Sequence, residues 1–429
     1  MHQRSSGKPN AKRRARIALL VPFLSLSALA STLSAVGRLP LPLDLPLHSL
    51  RPSSPFDPSG AQNTSGGTAG GSSRSGKIDL SGFLAGEGRW RKTGERAAAV
   101  TSTDLYLRAF ELGVEADVVD WVSATIVLNS EWIGDALNAG DARVVVDEAH
   151  LDIAVPHTPI YFVLGKRIQP FGLFETNFVT DPLVQDAYET KSVGLTVGIK
   201  TVRSTDLSVT AYKGRVQSDH LAQSGLFGPD APDSPAVDVS RVDSWIVSGS
   251  SNPVGEAWTV FAALASEPGA GRRMTTFNAG SYLNVPGLKN LQLDAEYMRA
   301  LRREDVPGLG RSFREAVLSV AASYHLITPE RRVLAGRNYR ARKLRRLAHP
   351  ALVAVRYETF DDGSRADVLG SWSVRNRVTL GGRYTFFEQG SVLAALSLEY
   401  RRQTLRISPA YTGPAGPSHE VYVRFGLDF

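Results

Sequence analysis

From Lys77 to Phe429 the sequence is a succession of segments in which every second residue is apolar and the residues between are polar, charged or glycine. No other feature limits the fold as strongly, because side chains alternate between two faces only in an extended strand, one face then meeting an apolar medium and the other water. Leu291, Leu293, Ala295 and Tyr297 oppose Gln292, Asp294 and Glu296. Val353, Val355 and Tyr357 oppose Arg356 and Glu358, and Val378, Leu380, Gly382, Tyr384 and Phe386 oppose Arg377 and Arg383. Tyr or Phe recurs towards the ends of the apolar sets, where an aromatic girdle sits at a lipid interface.

The pattern predicts strands near 77–90, 101–117, 121–131, 143–155, 159–167, 191–202, 206–214, 240–250, 256–266, 273–284, 289–302, 312–326, 350–360, 368–387, 391–404 and 419–429. The fold class expected is therefore all-β, a transmembrane antiparallel barrel of about sixteen strands. Short links (118–120, 156–158, 203–205, 251–255, 285–288, 388–390) alternate with longer ones (91–100, 132–142, 168–190, 215–239, 303–311, 405–418), as short periplasmic turns alternate with external loops. The segment 327–349 breaks this parity and is strongly basic (Arg331, Arg332, Arg337, Arg340, Arg342, Lys343, Arg345, Arg346), so it is either an insertion or the sign of a miscount by one strand. A soluble sandwich or propeller also alternates, but its strands face a core and its links show no such parity. Outside the N-terminus no run of apolar residues is long enough for a transmembrane helix.

The N-terminus reads as an export signal. Arg4, Lys8, Lys12, Arg13, Arg14 and Arg16 precede the apolar stretch from Ile17 to Ala30, which ends in the A-x-A sequence Ala28-Leu29-Ala30. Residues 1–30 are thus expected to be a signal peptide, 31–76, rich in Pro, Ser and Gly, a low-complexity periplasmic leader, and 77–429 the barrel. The formal charge of +7 falls to about +1 without the six bases of residues 1–30, so charge does not point to nucleic acid. Cysteine is absent, which removes disulfides and thiolate metal sites. No cofactor or metal motif is expected. The expected location is the outer membrane of a Gram-negative bacterium, with outer-membrane lipid as partner and a homotrimer as the oligomer that fold analogy suggests. Val421, Val423, Phe425, Leu427 and Phe429 end the chain on an aromatic residue, resembling the signal that the outer-membrane assembly machinery reads.

One stretch carries more than barrel texture. It contains Asp147-Glu148-Ala149-His150-Leu151, Leu164-Gly165-Lys166, Pro170-Phe171-Gly172, Thr180-Asp181-Pro182-Leu183 and Tyr188-Glu189-Thr190. From Val144 to Gly198 it resembles the LbtU-type siderophore porins, outer-membrane barrels associated with uptake of ferric siderophores without a plug. The resemblance implies a porin that passes a small solute, most specifically a ferric siderophore, and does no enzymatic chemistry. It also implies that the third external loop, 168–190, folds inward and narrows the channel. The residues expected in that constriction are Gln169, Pro170, Phe171, Gly172, Glu175, Asp181, Asp186 and Glu189, their carboxylates facing charges of opposite sign on the wall.

Strand parity puts Arg167, Arg356, Arg383, Arg401 and Arg424 on the lumen face, with Glu148, Asp152, Glu296, Glu358 and Glu399. Arg108 and Glu111 join them if a bulge sits at Ala109-Phe110. Two other functions remain open: a general, anion-selective or phosphate-selective porin, and a barrel hydrolase, for which His150 beside Asp152 offers a base but no serine context recommends itself. Residues 31–76 are too few and too simple in composition for the plug of an energy-coupled receptor.

Overall fold

The computed structural model describes residues 77–94, 99–135, 143–174, 177–201, 204–228, 240–288, 290–306, 309–327, 351–389, 392–413 and 416–429. The expected signal peptide and leader lie outside the described residues, as do 328–350.

Sixteen antiparallel strands close into a ring: β1 (Ile78–Thr93), β2 (Val100–Val119), β3 (Val122–Ile133), β4 (Val145–Ala154), β5 (Ile160–Ile168), β6 (Lys191–Lys200), β7 (Thr205–Lys213), β8 (Val242–Ser251), β9 (Trp258–Glu267), β10 (Met274–Asn284), β11 (Leu291–Arg302), β12 (Ala316–Ile327), β13 (Ala351–Asp361), β14 (Trp372–Gln389), β15 (Val392–Ile407) and β16 (Ser418–Asp428). Each pairs with its neighbours in sequence and β1 pairs with β16, so no edge is left open. Each of the sixteen predicted strands has its counterpart. β12 and β13 lie side by side (Ser319↔Glu358), which removes the miscount by one strand as the explanation of the long basic link between them.

Alternation decides which way each strand faces. On β6, Val193, Leu195, Val197 and Ile199 are exposed on the outside while Ser192 and Thr196 are buried. On β13, Val353, Val355 and Tyr357 are exposed while Arg356 and Glu358 are almost fully buried. Slipping any strand by one residue would turn its arginines and glutamates outward and its valines inward, so the register is fixed by the pattern itself. A continuous apolar outer belt of this kind is far larger than a water-facing surface tolerates and matches the lipid-facing band of a membrane barrel.

Most strand bounds shift by one to three residues, and two starts shift by four. The strand expected from 368 begins at Trp372, because a short helix α3 (Arg365–Leu369) precedes it, flanked by Ser364 and Gly370 in left-handed conformations and held by Asp362, which accepts the N–H groups of Ser364 and Ala366. The strand expected from 312 begins at Ala316. The bulge in β2 is also displaced: Ala85 pairs with Ala109 but Gly86 with Leu107, so the extra residue is Arg108 itself, not Ala109-Phe110. Two further short helices, α1 (Leu183–Tyr188) and α2 (Val216–Gln223), occupy the links after β5 and β7.

The seam between β1 and β16 is finished by Phe429. Its N–H donates to the Gly82 carbonyl (3.0 Å), the Gly82 N–H donates back (2.9 Å), and its ring covers Gly82 so closely that a Cβ there would lie 2.2 Å from the ring. Gly86, on the same strand and face, has open space around it. Gly82→Val is therefore expected to displace the ring and cost about 1–3 kcal/mol, read as a smaller heat-modifiable fraction on electrophoresis, while Gly86→Val leaves that fraction unchanged. Equal behaviour of the two variants would dismiss the seat for Phe429.

Candidate functional site

Link 169–190 leaves and rejoins the wall at one point. The Gln169 N–H donates to the Thr190 carbonyl (2.8 Å) and its side-chain amide to the Ser192 carbonyl (2.7 Å). After Pro170, Phe171 is fully buried, and the missing side chain of Gly172 makes room for the ring of Phe174. Phe171, Phe174, Leu183, Val184, Ala187 and Tyr188 form a dry cluster with Leu221 and Leu226 from the next long link and with inward residues of the wall such as Ile246, Phe261, Met298 and Val317. Burying these side chains holds the two ends of the link and α1 in place.

Between those ends the described residues, 172–174 and 177–182, lie in no helix or strand, and their backbone groups need partners elsewhere. Wall carboxylates supply them. The N–H groups of Leu173 and Phe174 donate to Glu296 on β11 (2.8 and 3.2 Å). Those of Val179 and Thr180 donate to Glu399 on β15 (2.7 and 3.1 Å), joined by the Thr180 hydroxyl. Leu183 N–H donates to Glu358 on β13. Arg356 reverses the polarity and donates to the carbonyls of Thr180 and Asp181 (3.1 and 3.0 Å). Asn177 donates to Ser323 on β12 (3.0 Å), and Asn278 on β10 donates to the Phe171 carbonyl. The link leaves from β5, so these partners sit on the opposite arc of the ring. Charge-assisted bonds of this kind are about twice as strong as neutral ones, and they engage Glu296, Glu358 and Glu399, which strand parity had placed on the lumen face.

The link's own carboxylates are unequal. Glu175 lies outside the described residues. Asp186 pairs with Arg377 on β14 (2.9 Å); burial pushes its carboxyl above the usual carboxylate range, and Arg377 works against that rise. Glu189 is 3.4 Å from Lys191 and accepts from Gln185 (2.7 Å). Asp181 is the most exposed of the three, its side chain 44% accessible, and its carboxylate stands 3.9 Å from Arg108.

Most of the wall arginines sit beside a carboxylate. Arg356 meets Glu358 (3.0 Å), Arg424 meets Glu87 (2.7 Å) and Arg401 meets Glu420 and the hydroxyl of Tyr422. Arg383 lies near Asp428 (3.5 Å) close to the short-turn end, and Arg167 donates to Thr196 (3.1 Å). Arg108 is 3.0 Å from Glu131. Arg377 was absent from the candidate set, although its place beside outward Val378 could have found it. On β4 the bulge at Asp147 leaves Glu148, His150 and Asp152 on one face, with His150 Nε2 3.1 Å from Asp152 and Nδ1 3.8 Å from Glu148. Glu111 pairs in register with Asn129 and Phe83. Among the described residues no three His, Asp or Glu side chains converge as metal ligands. The arrangement is one of ordered dipoles: rows of opposite charges on a rigid wall, able to orient a polar solute without a large net field.

No protein-family model matches the sequence, and no curated protein matches it. The fold is similar to solved barrels. An anion-selective porin from Comamonas acidovorans is 13% identical with a TM-score of 0.53, over 82% of this chain and 100% of that one. OmpF of Salmonella typhi, solved with daunomycin, gives 12% and 0.54 over 82% and 98%. OprB of Pseudomonas putida at high pH gives 11% and 0.52 over 82% and 94%. At these identities the likeness is one of fold.

Proposed function

We propose that this chain is an outer-membrane porin whose bore is narrowed by link 169–190, and that it passes a small polar solute by diffusion. One observation carries the reading: inside a closed ring with an apolar outer belt, the link that leaves β5 is tied by its backbone to Glu296, Glu358 and Glu399 on the far arc. A segment bonded across the lumen in this way divides it and leaves a restricted passage beside the link. Lipid meets the belt, and the strand ending in Phe429 is the part addressed to the assembly machinery.

A ferric siderophore is the solute class favoured by the motifs around Leu164-Gly165-Lys166 and Pro170-Phe171-Gly172. Gly165 fits a demanding position, with φ of 136° and no space for a Cβ against the Ala149 carbonyl, so the first motif has a structural reason to be kept whatever the cargo. The iron travels inside its chelator as cargo. A general or anion-selective porin is the competing reading, and the paired charges of the bore speak against strong anion selectivity.

Purified protein in planar bilayers is expected to give discrete conductance steps, and ferric hydroxamate, catecholate and citrate-type complexes presented in turn are expected to produce saturable current block by one class. Steps without any block would leave a general porin, and a silent bilayer together with no swelling of protein-loaded liposomes would sink the porin reading itself.

A further inference from the structure

Arg108 differs from the other bore arginines in how it is built into the wall. It is the extra residue of the β2 bulge, with no partner on β1, and bulges re-aim side chains. On β3, Trp132 holds a left-handed backbone (φ 57°), a conformation that a bulky side chain rarely adopts. It places the indole against Arg108, whose guanidinium carbon lies 3.9 Å from the ring centroid, and Tyr106 backs the indole at 5.5 Å. Asn129 donates to Glu131 (3.1 Å), and Glu131 holds Nη1 of Arg108 at 3.0 Å. Bulge, strained tryptophan and steered glutamate all fix one guanidinium.

The other edge of that guanidinium is loosely met. Nη2 has the Asp181 carboxylate at 3.9 Å, beyond hydrogen-bond distance, on a side chain that is substantially exposed. The Asp181 backbone is meanwhile held through its carbonyl by Arg356 and Arg377 (3.0 and 3.3 Å), so the carboxylate can swing while its anchor stays fixed. An arginine stacked on an aromatic face and gripped along one edge presents its remaining N–H groups in plane, the geometry that carboxylates accept.

We propose that Arg108 is a binding point for the carboxylate of a permeating solute, and that Asp181 occupies it as a tethered stand-in which the solute displaces. The proposal rests on the porin reading only in that the solute arrives through the bore. A carboxylate suits the site better than a phosphate dianion, because Glu131 beside it already supplies one negative charge and repels a second and third. The loose, exposed contact makes displacement easy.

Benzoate titrated calorimetrically onto the full-length folded protein in detergent tests this, with benzamide as neutral control and heat-modifiable migration confirming the fold of each variant. Asp181→Asn removes the competitor and is expected to tighten benzoate about threefold, whereas Arg108→Ala is expected to weaken it more than about tenfold, with Arg108→Lys between Arg108→Ala and the unaltered protein; benzamide is expected to give no heat. Unchanged affinity in Asp181→Asn, wild-type affinity in Arg108→Ala, or tighter binding of phosphate than of benzoate would each overturn the proposal. Calorimetry reads binding rather than current, so a barrel that binds benzoate yet conducts nothing contradicts the porin reading alone, and one that conducts but ignores benzoate contradicts this proposal alone.

Discussion

Glu399→Leu is expected to raise single-channel conductance about twofold or more while the barrel still migrates as a folded species. Glu399 is fully buried and accepts from the N–H groups of Val179 and Thr180 and from the Thr180 hydroxyl. Each bond to a charged acceptor is worth about 1.5–3 kcal/mol net, and donors left without an acceptor cost about as much again. Losing this acceptor removes the partner of three donors at once, and what is left on the described residues of the tip is Asn177 on Ser323 and the grip of Arg356 and Arg377 on the Thr180 and Asp181 carbonyls. The base of the link stays put, because Phe171, Leu183, Val184 and Tyr188 remain in their dry cluster. The tip should therefore swing away from β15 and widen the passage, with noisier open-state current as the second sign. Unchanged conductance in a folded variant would mean that the Glu399 bonds do not position the tip.

This dependence on Glu399 also shows where sequence reading stopped. Outward residues such as Val355 or Leu398 announce themselves because the evidence for each lies two residues away on the same strand, and a ring of sixteen strands needs nothing more than that local signal repeated. The role of Glu399 depends on Val179, 220 residues distant, and that of Glu358 on Leu183, 175 residues distant. Alternation places both carboxylates inside and says nothing of what they meet there. The β2 bulge is a partial case: alternation fails somewhere between Leu107 and Glu111, but only the pairing with Ala85 and Gly86 assigns the extra residue to Arg108. α1 escaped because six residues, Leu183–Tyr188, are too few to establish a 3.6-residue period. The site was legible as a segment and as a list of inward charges. Its bonding was not, since wall acids hold the link's backbone N–H groups, Arg356 and Arg377 hold its carbonyls, and of its described carboxylates only Asp186 and Asp181 face wall arginines.

The membrane itself is tested most sharply by placing one charge on each side of a single strand. Ile126, in the middle of β3, is 48% exposed on the apolar belt, and its neighbour Thr125 points inward. Register sets Thr125 beside Glu115 on β2 and His150 on β4, the latter flanked by Asp152. An arginine at 126 has no water to reach without thinning the bilayer, and the expected cost of Ile126→Arg is about 2–4 kcal/mol. Thr125→Arg enters an aqueous lumen with acids nearby, where favourable pairing offsets the larger side chain and the expected change is below about 1 kcal/mol. Reversible urea titration of folding into lipid vesicles measures both. In a water-soluble barrel the order would invert, because an arginine at 126 would be harmless on a hydrated exterior and one at 125 would be forced into the interior; that inverted order would remove lipid from the account of this fold.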